Sequence, residues 1–151
     1  MHMQTVERAR PVAKGSAMST SAEEAHNVDV VRSAFAAFEA GNIEALKKVL
    51  APSVRYHSAP AGRFTGDYRG VRAVMEFFGQ IARETEGSFR VKPVDMAANG
   101  NRVFVLYEIK GQRGAKALDT TDVGVFTVIA GAVTEAIFYQ SDYPAHASFW
   151  S

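Results

Sequence analysis

Asp122, Tyr107 and His57 are the side chains with which this chain is best equipped to move a proton. None of the 151 residues is cysteine. A thiolate nucleophile, a thiolate metal site and a disulfide are therefore excluded together, and the chemistry falls to carboxylate, imidazole and phenol groups. An imidazole titrates near neutrality and serves as acid or base without extreme tuning. A carboxylic acid among aromatic side chains is suited to passing a proton or to donating a hydrogen bond when neutral, and a phenol can polarise a carbonyl oxygen. Tyr56, Phe126, Phe138, Gln140 and Asp142 are the candidates for binding a substrate around these three. Each residue also has a plainer role open to it. His57 can be a partly exposed hydrogen bonder in a strand, Asp122 a sheet-end group bonded to Tyr107 or to backbone, and the tyrosines amphipathic core aromatics. Asp142 can accept backbone N–H bonds as the chain leaves the sheet. No three residues stand at a recognised metal-ligand spacing, and no G-x-G-x-x-G or Walker sequence occurs, so neither a metal nor another cofactor is expected.

These residues need elements to hold them. From about Glu24, Val31, Phe35 and Phe38 recur at helical spacing, and Gly41 supplies a stop; Asn42 can then cap a short helix with Ile43, Leu46, Val49 and Leu50 on its apolar side. Ser53 to His57 reads as a short strand, and Ala59 to Gly70, rich in turn formers, as a loop in which Asp67 and Arg69 organise the approach to the next helix. That helix carries Val71, Val74, Phe77, Phe78 and Ile81 on one side and ends at Gly87. From Ser88 to about Tyr143 the period changes to two, with turn signals at Asn99-Gly100, Gly114 and Gly131, which predicts four long strands joined by hairpins. The order gives an α+β fold: three helices packed on one face of a curved, mainly antiparallel sheet.

The turns also predict which residues share a face. A two-residue turn at Gly114-Ala115 pairs Arg113 with Lys116 and sets Tyr107 opposite Asp122, so Val103, Val105, Tyr107 and Ile109 share a face with Thr120, Asp122, Gly124 and Phe126. A type I turn with a bulge at Gly131 pairs Val128 with Ala132 and adds Ala136, Phe138 and Gln140 to that face. The opposite face collects Phe104, Leu106, Val123, Val125, Val133, Ile137 and Tyr139. Both faces are apolar, where a one-sided sheet would alternate with polar residues. Helices can cover one face, and a second copy of the chain is expected to cover the other as a homodimer.

Residues 1–23 read as a disordered tail ahead of a single domain at 24–151, and Met18 is a possible natural start. The tail holds Arg8, Arg10 and Lys14 against Glu7 and Glu23; taking these three from the 17 basic residues and these two from the 16 acidic ones leaves 14 of each. A neutral folded part offers no field for nucleic acid. No apolar run approaches the roughly 20 residues that a membrane span needs, and the tail lacks a secretory apolar stretch, so a cytoplasmic location is expected.

The segments VRSAFAAFEAGNIEAL, VRYHSAPAGRFTGDYRGVRAVMEFF, NRVFVLYEI and GAVTEAIFYQSDYPAHASFW together resemble the SnoaL-like, ketosteroid-isomerase-like branch of the nuclear-transport-factor-2-like superfamily, over nearly everything from Asn27 to Trp150. The resemblance implies a cone in which helices close over the sheet around an apolar cavity, and dimerisation through the outer sheet face. Ketosteroid isomerases place a base roughly where Tyr56 and His57 stand and an oxyanion-stabilising Asp near Gly124. Neither position is Asp here, which argues against that reaction. SnoaL-type cyclases use an acidic residue with a nearby His, for which His57 with Asp122 or Asp142 is the nearest match. The resulting expectation is a cofactor-free isomerase, cyclase or hydrolase that moves a proton on a mainly apolar carbonyl or epoxide substrate. The alternative is a ligand-binding or dimeric assembly module without catalysis.

Overall fold

The computed structural model describes residues 21–58, 64 and 66–151. Helix α1 (Ser21–Ala40) buries Val30, Val31, Ala34 and Phe35 along one stripe. Gly41, at φ 65°, ends it: its N–H bonds to the carbonyl of Phe38 and that of Asn42 to the carbonyl of Ala37, which is how a left-handed residue satisfies the last orphan carbonyls of a helix. Asn42 then caps α2 (Ile43–Val49) by accepting the N–H of Ala45 at 3.1 Å. Strand β1 (Leu50–Ser58) follows directly, longer at both ends than the alternation of Val54 and Tyr56 indicates.

Part of the expected loop is a strand. β2 (Gly66–Arg69) pairs antiparallel with β1, Tyr68 opposite Tyr56 and Asp67 opposite His57. Four residues between glycines carry too little pattern to announce a strand. Helix α3 (Gly70–Glu84) buries Val74, Phe77 and Ile81, and β3 (Arg90–Asn99), β4 (Arg102–Arg113), β5 (Lys116–Ile129) and β6 (Ala132–Tyr139) form the meander. The last element, α4 (Tyr143–Trp150), was not foreseen. Among the described residues the fold thus has four helices rather than three. The α+β reading holds, with helices over one face of a six-stranded sheet of order β2-β1-β6-β5-β4-β3. β1 runs parallel to β6, which makes the sheet mixed, while the other neighbours are antiparallel. No helix among the described residues is long and apolar enough to cross a membrane. The expected tail falls outside the described residues except for Ser21 to Glu23, which form the first turn of α1.

The pairing of β4 with β5 follows the Gly114 turn as expected: Arg113 meets Lys116 and Tyr107 meets Asp122. The next turn differs. Ala130 and Gly131 both have positive φ, 51° and 79°, so the hairpin is a tight two-residue turn of the I′ kind and Ile129 pairs with Ala132. The extra residue sits instead in β6, where the register shifts between Val128↔Val133 and Thr127↔Glu135. Thr134 is the bulged residue. A bulge restarts the alternation, so Val133, expected on the outer face, is 1% exposed in the core with Ala136. Phe104, Leu106 and Tyr139 remain on the outer face and are exposed.

Candidate active site in the sheet cavity

An apolar cavity of about 150 Å³ lies between the inner sheet face and the helices. Tyr56 from β1, Tyr107 from β4, Asp122 and Phe126 from β5, and Phe138 from β6 all line it, as does Gln140 just beyond the sheet. Six of the eight sequence candidates therefore meet around one space. The other two do not.

His57 follows Tyr56 directly in an extended strand, and consecutive strand residues point to opposite faces. Tyr56 faces inward, so His57 faces out. Its Nδ1 lies 2.8 Å from Asp67 Oδ1 and its Nε2 2.8 Å from Glu135 Oε2, and Arg55 reaches the same Glu135 oxygen at 3.4 Å. Two carboxylates can be satisfied together only when both ring nitrogens carry protons. The hydrogen bond to Asp67, then that to Glu135, raises the pKa of His57 above its ordinary value. His57 is thus corrected from a pocket residue to an ionic clasp on the outer face that ties β2 and β6 to β1. Asp142 is corrected as well: it is exposed and caps α4, accepting the N–H of Ala145 at 3.0 Å.

That cap brings in a residue the sequence reading passed over. Asp142 starts the helix, Pro144 fits its first turn, and His146 falls on the side facing β5. His146 Nε2 lies 2.7 Å from Asp122 Oδ2; since a carboxylate only accepts, Nε2 carries the proton. Thr120, on the same strand face, places its hydroxyl 3.3 Å from that nitrogen. The other carboxylate oxygen accepts the N–H of Ser141 at 3.0 Å and its hydroxyl at 3.3 Å. Asp122 and His146 are 2% and 4% exposed, and both line the cavity. No further His, Asp or Glu among the described residues joins them to make a metal site. The sequence did carry a signal for His146, namely an Asp two residues before a Pro immediately after a strand, which is a helix start.

Two phenols stand on the same wall, and Ser58 and Gln140 line the cavity as well. Burial, and then the nearness of Tyr56 and Asp122, push the pKa of Tyr107 well above its usual value. Burial does the same for Tyr56, with Tyr68 adding to it. Both are therefore neutral donors at physiological pH. Phe138 stands between them, its ring 4.7 Å from that of Tyr56 and 6.2 Å from that of Tyr107.

A mixed sheet with helices on one face and an apolar cavity between them, holding an acid–imidazole pair and two phenols, defines a small α+β pocket protein. Residues 31–136 match the SnoaL-like domain family. The chain belongs to that family, within the SnoaL-like branch of the nuclear-transport-factor-2-like superfamily. An uncharacterized protein of Mycobacterium tuberculosis is 30% identical over 126 residues, 83% of this chain and 96% of that one. Among solved structures, Bal32a from a soil-derived mobile gene cassette superposes with a TM-score of 0.82 at 28% identity, covering 85% of this chain and 99% of that one. A nuclear-transport-factor-2-like protein from Burkholderia xenovorans LB400 gives 0.73 at 25% identity, covering 85% and 98%.

Proposed function

We propose that this protein is a cofactor-free proton-transfer catalyst of the isomerase, cyclase or hydrolase type, acting on a mainly apolar molecule that carries a carbonyl or epoxide. The observation that carries the reading is the 2.7 Å bond between Asp122 and His146 beside Tyr107 in an apolar cavity. Asp122 keeps His146 in the Nε2–H form, which leaves Nδ1, without a hydrogen-bond partner among the described residues, as a base. In a carbonyl substrate Nδ1 takes the proton from the carbon beside the carbonyl. The O–H of Tyr107 donates to the oxygen on which charge develops, and the imidazolium, stabilised by Asp122, returns the proton at the new position. For an epoxide the same groups would activate water and protonate the opening oxygen. A chain without cysteine suits a reducing cytoplasm, where we place this activity.

Hydrogen–deuterium exchange at the carbon beside the carbonyl of a cyclic ketone, followed by proton NMR, tests this. Asp122→Asn and His146→Gln should each slow exchange by about 10²-fold or more, while His57→Gln should leave it unchanged. Equal loss in all three variants, or no enzyme-dependent exchange with any ketone or epoxide, would leave the non-catalytic binding module as the reading. An assembly role also has its own support in Phe104, Leu106 and Tyr139, exposed on the outer face with Val123 between Leu106 and Tyr139. The partner proposed for that face is a second copy of the chain.

A further inference from the structure

We propose that the cavity selects an uncharged molecule about the size of a single ring with one acceptor oxygen, and that it rejects both fused polycycles and carboxylates. The inference rests on the reading above only for the place of the site; it concerns what fits rather than what reacts.

Size comes first. The cavity holds about 150 Å³, on the scale of an apolar protein cavity that takes up benzene, whereas pockets for drug-sized ligands run to several hundred Å³. Its walls are also locked to one another. Tyr56 touches Phe77, Phe78 and Phe138 at ring distances of 5.5, 5.4 and 4.7 Å. Phe35 sits edge-on to Phe126 at 5.5 Å, and Phe64 edge-on to Trp150 at 4.8 Å. Seating a second fused ring inside these walls, rather than in the mouth of the cavity, requires several of the contacts to open together in a densely packed interior.

Polarity comes second. Tyr107 is 5% exposed and lines the cavity, yet its hydroxyl has no hydrogen-bond partner among the described residues. Tyr56 lines the same space but is only partly buried. No buried side-chain donor or acceptor among the described residues lacks a partner, so these hydroxyls give onto the cavity space, where a neutral O–H gains from an acceptor; two of them on one wall suit one shared oxygen acceptor. Charge comes third. Asp122 already accepts three hydrogen bonds and faces the same space, so a second carboxylate would be stripped of water beside a like charge.

Calorimetric titration of the full chain with three probes tests the inference: cyclohexanone, cyclohexanecarboxylate and a four-ring ketone. Cyclohexanone should bind, the carboxylate about 100-fold more weakly or not at all, and the four-ring ketone more weakly than cyclohexanone. Tyr107→Phe should cost cyclohexanone about tenfold in affinity while leaving methylcyclohexane unchanged. Ala136→Val, which fills the cavity without removing a polar group, should weaken both. The inference is overturned if the four-ring ketone binds tighter, if the carboxylate binds within threefold of the ketone, or if Tyr107→Phe has no effect. Tight four-ring binding with proton exchange that depends on Asp122 would sink this inference and leave the catalytic reading standing; selective one-ring binding without exchange would do the reverse.

Discussion

Replacing Asp122 should reveal how much of the site's architecture hangs on one carboxylate. Its three donors are not equivalent. Ser141 is exposed, so its N–H and O–H turn to water when the carboxylate is removed, at little cost. His146 is 4% exposed and has no such escape: its Nε2–H is left unpaired, at about 1–3 kcal/mol, on top of a charge-assisted bond worth about 1.5–3 kcal/mol. Asp122→Ala should therefore destabilise by about 3–5 kcal/mol, the usual range for breaking a buried pair on one side. Asp122→Asn should cost only about 1–2 kcal/mol, because its oxygen can keep Ser141 while its amide donates to His146 Nε2, once that ring moves its proton to Nδ1. The cycle of Asp122→Ala, His146→Ala and the double variant should return a coupling of about 2 kcal/mol. Urea unfolding read by fluorescence measures all of this, since Trp150 is the one tryptophan, 4% exposed and 4.6 Å from the ring of Phe149 on the same helix as His146. Nitrogen-15 NMR of His146 should report the change of tautomer in Asp122→Asn. If Asp122→Ala costs under 1 kcal/mol, or the coupling is below 0.5 kcal/mol, the pair is not the bonded interior unit described here.

Three further outcomes are expected. In Gly124→Ala the new Cβ would stand 2.9 Å from Phe126 Cε1 and 3.2 Å from Phe138 Cε1; the rings must move into the cavity, costing about 1–3 kcal/mol in urea unfolding and weakening ring-sized ligands in calorimetry. His57 has a raised pKa in the folded chain, so its clasp contributes fully below pH 6.5 and is lost as pH climbs through the raised value. Urea midpoints should fall across that window in wild type relative to His57→Gln, and parallel curves would refute the clasp. Light scattering should give the mass of two chains for wild type and of one for Leu106→Glu; a monomeric wild type at micromolar concentration would remove the proposed outer-face dimer.

The sequence was legible where short-range rules act alone. Gly114 forces a tight turn, and every pair from Arg113↔Lys116 to Tyr107↔Asp122 follows from it by counting, so the sequence alone sets the acid opposite the phenol. Counting failed where a bulge intervened. Thr134 turned Val133 inward, and only the full sheet decides where such a residue falls. The placement of His57 failed against a rule already in hand, since it cannot share a wall with its neighbour Tyr56 in an extended strand. His146 went unread because an eight-residue helix, mixed in polarity and following a strand, shows no periodicity; its cap and proline were the available signs. The resemblance supplied the idea of an acid with a nearby imidazole, and the fold decided which imidazole.

The parallel contact between β1 and β6 also governs how the protein reaches this state. His57 and Glu135 stand 78 positions apart in sequence, and bringing such distant segments together costs roughly 4 kcal/mol in chain entropy before contacts repay it. The β4–β5 hairpin can form by local zipping, whereas Tyr56 joins Tyr107 only when β1 docks beside β6. A chain with so much distant pairing folds slowly. The cavity is complete only once β1 has docked beside β6, because Tyr56 and the hairpin residues that form its floor come from opposite sides of that contact.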